Sequence, residues 1–384
     1  MTNSYVKLGD LATYINGYAF KPKDRGDKGL PIIRIQDLTG NTYDKGFYDG
    51  KYPSKIEINN GDVLISWSAS LGVYLWNGGK ALLNQHIFKV IFDKKEIDKD
   101  YFIYAVRFSL KRLHQLTHGA TMKHIVKKDF DNVVIPYPSI KKQKEIAFNL
   151  DKIESIIKTR QQEIRMLDTL IKARFVEMFG DPMIKKDDRN LRKLKEICII
   201  NPKKNLASKF TNDIEVSFVP MSSLSEQGDI DVSQRKNYSE VRKGFTYFAE
   251  NDVLFAKITP CMENGKGAIA TGLINGIGFG STEFHILRPI KNITNPYWIY
   301  VLTSFKSFRK LAEVNMTGSA GQRRVPATFL KDYEVRLPPI ELQNEFASFV
   351  QQVDKSKVVN ASIMKYIISI RFYLYFKENK EGAR

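Results

Sequence analysis

The feature that most constrains the fold is a long stretch of regularly spaced apolar residues in the middle of the chain. Between Ile146 and Met178 the chain contains neither Gly nor Pro, and apolar side chains recur in steps of three and four. Such spacing predicts one long helix with a narrow apolar seam, which needs a second helix to cover it. At about 1.5 Å per residue this helix is roughly 50 Å long. Arg160 and Arg174 fall on the seam positions that are not apolar.

The same pattern returns near the end of the chain, which indicates an internal duplication. Gln143 and Glu145 precede the first seam, and Gln343 and Glu345 precede the second in the same register. The apolar positions of the two seams also coincide, and so do the residues upstream of them. Repeats of this kind predict two copies of one structural unit. The alternative is a pair of unrelated amphipathic helices.

Landmarks in the rest of the chain give the organisation. We predict a first domain at 1–139, a spacer helix at 140–180, a linker at 181–190, a second domain at 191–339, and a second spacer helix with a tail at 340–384. Each domain reads as mostly β with one or two helices. In the first domain we predict a strand over residues 30–35, with Arg34 and Gln36 alternating out of it, and a hairpin at Asn77–Gly79.

The composition of the chain limits its possible binding partners and its cellular compartment. The chain of 384 residues has a formal net charge of +18, which favours a polyanionic partner, most simply nucleic acid. Its two cysteines, Cys198 and Cys261, lie far apart, so we expect neither a disulfide framework nor a zinc site. No signal pattern opens the chain and no apolar run approaches membrane-spanning length, so we expect a soluble cytoplasmic protein without membrane contact.

The order of these segments resembles a known family. The first domain ends in Ile-Pro-x-Pro-x-Ile-x-x-Gln-x-Glu (135–145), and the long helix that follows ends in Phe-Gly-Asp-Pro (179–182). The second domain ends in Leu-Pro-Pro-Ile-x-x-Gln-x-Glu (337–345), again followed by a long helix. Over essentially its whole length the chain resembles the specificity subunit of a type I restriction–modification system. It departs from the family pattern in its second helix, where Lys357, Asn360 and Arg371 fall on seam positions.

This resemblance implies a mixed α/β fold: two mostly-β target-recognition domains, internally duplicated and separated by two long antiparallel coiled-coil helices. Each domain would read one half of a split target in double-stranded DNA. The helices would dock two methyltransferase subunits, and the assembly would recruit restriction subunits. The resemblance implies a non-catalytic chain without a cofactor of its own, since S-adenosylmethionine, ATP and Mg²⁺ are expected on the partner subunits.

The candidate DNA contacts come from two loops and several strand ends. The loop at 114–128 is basic, contains a glycine and holds three of the five histidines; the loop at 318–325 occupies the equivalent place. Polar and basic side chains on such loops can bond phosphates or base edges. The alternative for each residue is an ordinary solvated surface. The candidates on the two loops are Thr121, Lys123, His124, Gln322, Arg323 and Arg324, and those at strand ends are Arg34, Gln36, Ser66, Ser68, Gln85 and Lys257.

Motifs for metal binding and catalysis are weak. His114 and His118 have the spacing of helical metal ligands, with His124 near, but no Cys or well-placed carboxylate joins them before Asp129, so no metal site is predicted. The chain lacks the Gly-Lys-Ser/Thr of a P-loop, and Asn295-Pro-Tyr-Trp only partly matches an amino-methyltransferase motif. We predict no catalytic residues. Two other readings stay open: the recognition part of a self-contained DNA methyltransferase or nuclease, and a coiled-coil scaffold without a nucleic-acid role.

Overall fold

The computed structural model of the chain describes residues 4–41, 44–68, 70–116, 127–182, 191–204, 214–319 and 321–380, with only the backbone of 111–116 and 371–380. The chain divides into two compact units. The first unit comprises residues 1–159 and 363–384, and the second comprises residues 160–362. Both units are mixed α/β, and each of the two long helices contributes to both of them.

The elements follow one another in the same general order in each half of the chain. The first half contains β1 (Ser4–Lys7), β2 (Thr13–Asn16), β3 (Leu30–Ile33), α1 (Ile35–Leu38), β4 (Phe47–Tyr48), β5 (Glu57–Ile58), β6 (Val63–Ser66), β7 (Gly72–Leu75), β8 (Ala81–Leu83), β9 (Ile87–Ile91), α2 (Lys99–Leu116), α3 (Lys127–Asp131), β10 (Val134–Tyr137) and α4 (Ile140–Phe179). The second half contains β11 (Leu191–Lys193), α5 (Leu194–Ile197), β12 (Cys198–Ile200), β13 (Glu215–Val219), β14 (Arg235–Asn237), α6 (Tyr238–Val241), β15 (Thr246–Ala249), β16 (Val253–Ala256), β17 (Gly267–Ile269), β18 (Ile277–Gly280), β19 (Phe284–Pro289), α7 (Pro296–Ser304), α8 (Lys306–Val314), α9 (Ala327–Asp332), β20 (Glu334–Arg336) and α10 (Ile340–Lys380).

The strand topology of the two units is the same, which confirms the duplication. In the first unit β1 pairs with β10, one sheet has the order β2-β9-β6-β7, and another has the order β4-β3-β8-β5. In the second unit β11 pairs with β20, and the sheets have the orders β12-β19-β16-β17 and β14-β13-β18-β15. In both units the third strand runs parallel to the eighth, as β3 with β8 and β13 with β18. The two units therefore share their strand order, although the loops between the strands share little sequence.

Two local predictions in the first unit are wrong. The strand predicted over residues 30–35 ends at Ile33, because the Asp37 carboxylate accepts a hydrogen bond from the Arg34 backbone amide (2.8 Å) and so starts the short helix α1. Arg34 therefore precedes a helix and Gln36 lies within it. The glycines after Asn77 form no hairpin, since β7 pairs with β6 whereas the fully buried β8 pairs with β3 and β5 of the other sheet.

Each unit has an apolar core between a sheet and helices. In the first unit α2, through Tyr101 and Phe102, packs with strand residues and with Leu150 from the beginning of α4. In the second unit Trp298 of α7 and Phe308 of α8 are fully buried with residues of both long helices. Burial of such large apolar side chains is the main favourable term in folding. The long helices are thus part of the globular cores.

The repeated glutamine at the start of each long helix joins that helix to its unit. Gln143 is completely buried; its amide donates to the Pro138 carbonyl (2.8 Å), and its oxygen accepts from the Asp98 amide (2.8 Å) ahead of α2. Gln343 is equally buried, donates to the carbonyls of Pro338 (2.8 Å) and Ile293 (3.1 Å), and accepts from the Asn295 amide (2.9 Å) ahead of α7. Backbone groups beside a proline-rich turn would otherwise be buried without partners.

The second unit contains the seam that the two long helices share. Phe175 of α4 packs with Phe346 of α10, and Val350 and Val353 belong to the same core as Ile171. The pairing is antiparallel, because residues that follow one another along α4 meet residues in descending order along α10. α4 ends at Phe179, and Gly180 has the positive φ (+81°) common after a helix C-terminus.

Polar residues on the seam have polar partners. The Arg160 guanidinium donates to the Asn360 amide oxygen (3.0 Å), and the Lys357 ammonium pairs with Asp168 (2.6 Å). Lys357 and Asn360 are two of the residues at which the second helix departs from the family pattern. Because both find partners on α4, the helices stay paired there, and polar seam contacts of this kind fix the register of a coiled coil. Arg371 lies where only the backbone is described.

A candidate nucleic-acid interface

Four of the predicted contact residues come together at one corner of the second unit: Lys257, Gln322, Arg323 and Arg324. Beyond β16 the chain continues as Lys257-Ile258-Thr259 and pairs with the segment 323–325. The Thr259 amide donates to the Arg323 carbonyl (3.0 Å), and the Val325 amide donates to the Lys257 carbonyl (2.9 Å). Arg324 also forms an antiparallel bridge with Thr317. Gln322, Arg323 and Arg324 therefore lie on a small hairpin anchored to the end of β16.

Arg324 is held by a carboxylate from the turn before β19. Its Nε and Nη2 atoms donate to the two oxygens of Glu283, at 2.9 Å and 2.8 Å, and its Nη1 donates to the Gln322 carbonyl (3.0 Å). A bidentate pair of this kind fixes the plane of the guanidinium. The hydrogen bonds from Arg324 hold the pKa of Glu283 below its usual range. Since the Lys257 amide donates to the Glu283 carbonyl (2.9 Å), this pair belongs to the same corner.

Arg323 is held more loosely, between two carboxylates. Its Nη2 atom lies 3.7 Å from a Glu313 oxygen and 4.0 Å from a Glu263 oxygen, and its side chain is 40% exposed. Both distances exceed the roughly 2.7–3.2 Å of an ordinary hydrogen bond. Glu263 is itself fixed by the Thr259 hydroxyl, which donates to it at 2.9 Å. The two carboxylates thus orient the Arg323 guanidinium by electrostatic attraction, and its N–H donors can still bind a ligand.

A buried histidine, His285, contacts the backbone of the corner. The His285 side chain of β19 lies 2.8 Å from the Val325 carbonyl through Nε2 and 3.0 Å from the Asn201 amide nitrogen through Nδ1. Burial lowers the pKa of His285, so the imidazole is neutral at physiological pH. A groove of about 430 Å³ opens on the other side of this strand. Lysines and an aromatic ring line it: Lys203, Lys204, Tyr247 and Lys257.

The topologically equivalent corner of the first unit has a different chemistry. Trp67 follows β6 as Lys257 follows β16, and His86 precedes β9 as Glu283 precedes β19. The Trp67 amide donates to the His86 carbonyl (3.2 Å), which repeats the Lys257–Glu283 backbone bond. The side chains, however, are two rings whose centroids lie 4.8 Å apart. The same backbone corner therefore carries an aromatic pair in one unit and charged residues in the other.

The remaining predicted residues of the first unit are dispersed. Arg34 makes its contacts within its own loop, to the Asp37 carboxylate and to the Asp44 carbonyl. Gln36 is half-buried in α1, and Gln85 is exposed in the turn between β8 and β9. Ser66 is fully buried and donates to the Ser70 carbonyl, and Ser68 is 6% exposed. Thr121, Lys123 and His124 lie outside the described residues.

The acidic members of the corner were missed by sequence reasoning. Glu263, Glu283 and Glu313 come from three distant loops or helices, and a search for basic residues gives them no signal. Among the described residues, no cluster of three or more His, Cys, Asp or Glu side chains could hold a metal ion. Cys198 and Cys261 are both free thiols. Within the same part of the chain, no helix is long and apolar enough to cross a membrane.

Comparison with known proteins agrees with this architecture. The chain is 44% identical over 153 residues to the EcoAI type I restriction enzyme specificity subunit of Escherichia coli, a match covering 39% of this chain and 25% of that protein. The matched region thus spans about a quarter of the curated relative. A longer match, 23% identical over 386 residues, covers 90% of this chain and 81% of the StySPI specificity subunit of Salmonella potsdam.

A solved structure has the same overall fold. The chain superimposes with a TM-score of 0.56 and 15% identity on a chain from a study of complex assembly and conformational transition in a type I R-M system, covering 98% of this chain and 97% of that one. The family model described as the type I restriction modification DNA specificity domain matches residues 2–166 and again residues 186–365. Because these two matches include most of the sequence, the chain belongs to the type I restriction modification DNA specificity family.

Proposed function

We propose that this chain is the DNA sequence-specificity subunit of a type I restriction–modification complex. Each unit reads one half of a bipartite target in double-stranded DNA. One observation carries the proposal: the two units share a strand topology, yet the equivalent corner holds Trp67 and His86 in one and Lys257 and Glu283 in the other. A duplicated scaffold with divergent side chains suits a protein that recognises two different short sequences.

The basic charge of the chain supplies the non-specific part of the binding. A formal net charge of +18 attracts the phosphate backbone and releases counterions when DNA binds. Base edges supply the sequence discrimination, for which the corner of the second unit offers guanidinium, ammonium and carboxylate groups. We propose that the chain contributes recognition and no catalysis. S-adenosylmethionine, ATP and Mg²⁺ are then bound by the methyltransferase and restriction subunits.

The long helices offer a surface for a methyltransferase partner. In the second unit, the outer face of α4 exposes Met166 (61%) and Leu170 (47%), one helical turn apart. These large apolar side chains point away from the seam formed by Ile171 and Phe175, which are buried. We propose that this face is covered by one of two methyltransferase subunits in the complex.

Exchange of the first recognition domain tests the division between the half-sites. Replacing residues 1–140 by those of a relative, with the methyltransferase partner present, should change one half of the methylated sequence and leave the other half as it was. Methylation mapping in the host genome gives the result directly. A change in both halves, or in neither, would contradict the proposal.

The docking surface is tested by charge insertion. Met166→Glu and Leu170→Glu should each prevent co-purification with the methyltransferase subunit, because a carboxylate would be buried at the contact. Gln161→Glu is the matched control, since residue 161 is exposed on α4 at a different angle around the helix. Equal co-purification of all three variants would remove this face from the interface.

Cofactor binding separates the proposal from the main alternative. The purified chain alone should bind no S-adenosylmethionine in a calorimetric titration, whereas its complex with the methyltransferase subunit should bind it. Stoichiometric binding by the isolated chain would instead indicate a self-contained methyltransferase.

A further inference from the structure

The two arginines of the hairpin in the second unit have different environments. The guanidinium of Arg324 is occupied by Glu283 and by the Gln322 carbonyl, through hydrogen bonds of 2.8–3.0 Å. Among the described residues, the Arg323 guanidinium has only the longer contacts of 3.7 Å and 4.0 Å with Glu313 and Glu263. Arg324 therefore fixes the hairpin, and Arg323 is the arginine whose donors remain for a ligand.

The carboxylates around Arg323 argue against a phosphate as that ligand. A phosphate at this guanidinium would approach the negative charges of Glu313 and Glu263 within a few ångströms, and like charges at such distances repel. A base edge carries no net charge. It is therefore the more favourable partner for a guanidinium flanked by carboxylates.

The arrangement of donor and acceptor matches one base pair in particular. In the major groove guanine presents two acceptors, N7 and O6, and its cytosine partner presents the N4 donor beside them. An arginine donates to guanine in a bidentate manner, and a glutamate accepts from cytosine N4. Arg323 and Glu313 stand side by side, and their side chains are 40% and 45% exposed.

Glu263 has a different part in this arrangement. Its side chain is 20% exposed, and its Oε2 atom is buried without a hydrogen-bond partner among the described residues. Its other oxygen is fixed by Thr259. A carboxylate with one buried oxygen favours a nearby cation, so Glu263 acts as a positioning residue that holds the Arg323 guanidinium towards the open side of the corner.

We propose that Arg323 and Glu313 together read one G·C base pair in the half-site recognised by the second unit. Arg323 donates to guanine and Glu313 accepts from cytosine. This assignment rests on the function proposed above, since it names the base pair contacted within that DNA site.

The test uses the complex of the full chain with its methyltransferase partner. Once genome methylation mapping has given the target, competition binding is measured with duplexes in which each base pair of the target is exchanged in turn. The wild-type complex should discriminate strongly at one G·C pair of the second half-site. Arg323→Ala should reduce discrimination at that pair by roughly tenfold to a hundredfold and leave the other positions unchanged.

Three further variants separate base recognition from the effects of charge and folding. Arg323→Lys keeps the charge but cannot donate in a bidentate manner, so it should lose discrimination at the same pair only in part. Lys331→Ala removes one exposed positive charge of the same unit and should alter discrimination at no position. Glu313→Gln should relax the preference for cytosine at that pair, because an amide can both donate and accept.

The outcomes are distinguishable. A wild-type complex that prefers no duplex overturns the proposed function and this inference with it. Specific binding by the wild type, combined with a uniform loss of affinity for all duplexes in Arg323→Ala, overturns this inference alone, since it indicates a phosphate contact. A second half-site without a G·C pair also overturns it.

Discussion

Truncation of the buried glutamine at the start of α10 should be among the most destabilising single changes in the second unit. Gln343→Ala leaves two carbonyls, those of Ile293 and Pro338, and one amide, that of Asn295, without their partner. Each buried polar group left unsatisfied costs about 1–3 kcal/mol. Because the polypeptide can relax and admit water, we expect a total loss of about 3–6 kcal/mol. Gln143→Ala removes two bonds instead of three and should cost about 2–4 kcal/mol in the first unit.

Urea unfolding and amide exchange together measure this effect. Trp298 is buried in the core of the second unit, so in a Trp67→Phe/Trp76→Phe background its fluorescence reports that unit alone. Hydrogen exchange, read by mass spectrometry on the peptide that contains Asn295, should accelerate in Gln343→Ala and stay unchanged in Gln143→Ala. Gln161→Ala, an exposed change on α4, should stay within about 0.5 kcal/mol of the parent. A cost below about 1 kcal/mol for Gln343→Ala, with normal exchange at Asn295, would refute the reasoning from unsatisfied groups.

Two further predictions concern charged pairs of the second unit. The Asp252 side chain is 1% exposed and accepts two hydrogen bonds from the Arg288 guanidinium, at 2.7 Å and 2.6 Å. Asp252→Ala should therefore destabilise the second unit by about 3 kcal/mol or more in the same urea assay. A loss under about 1 kcal/mol would show that the pair is dispensable. The lowered pKa of Glu283 means that its pair with Arg324 stabilises the fold at neutral pH and is lost as the pH falls through that lowered pKa. Glu283→Gln should therefore be less stable than the wild type at pH 7. The difference should begin to narrow near the normal pKa of glutamate, roughly pH 4, and should vanish below the lowered pKa of Glu283; a difference independent of pH would contradict the assignment.

The long helices were predictable because their signal is local. A seam repeated every three or four residues, without Gly or Pro, favours a helix whatever surrounds it, and α4 and α10 are indeed 40 and 41 residues long. The identical Gln143 and Gln343 pointed to the duplication. Their role could not be predicted, because their partners Asp98 and Asn295 lie some 45 and 48 residues away in sequence.

The sheets and much of the corner depend on contacts that a local pattern does not contain. The parallel pairing of β3 with β8 joins strands separated in sequence by four other strands. The misassigned hairpin after Asn77 shows that glycines indicate a turn but do not identify the partner of the next strand. Buried Ser66 and exposed Gln85 look alike in the sequence, as polar residues at strand ends. Arg323 and Arg324 were identified through their glycine-containing loop. Their partners could not be, because Glu313 approaches Arg323 and Glu283 approaches Arg324 only after folding.

The duplicated corner keeps the same backbone hydrogen bond in both units while its side chains differ. In both units the corner is closed by a backbone hydrogen bond, from Trp67 to His86 and from Lys257 to Glu283. Neither bond involves a side chain, so the side chains at these four positions can vary while the strands keep their register. In the second unit the side chains supply charge, and in the first they supply two rings in contact. Since phosphate contacts need only positive charge whereas base contacts need particular groups, the proposed function implies that variation at this corner changes which sequence is bound more than how tightly DNA is held.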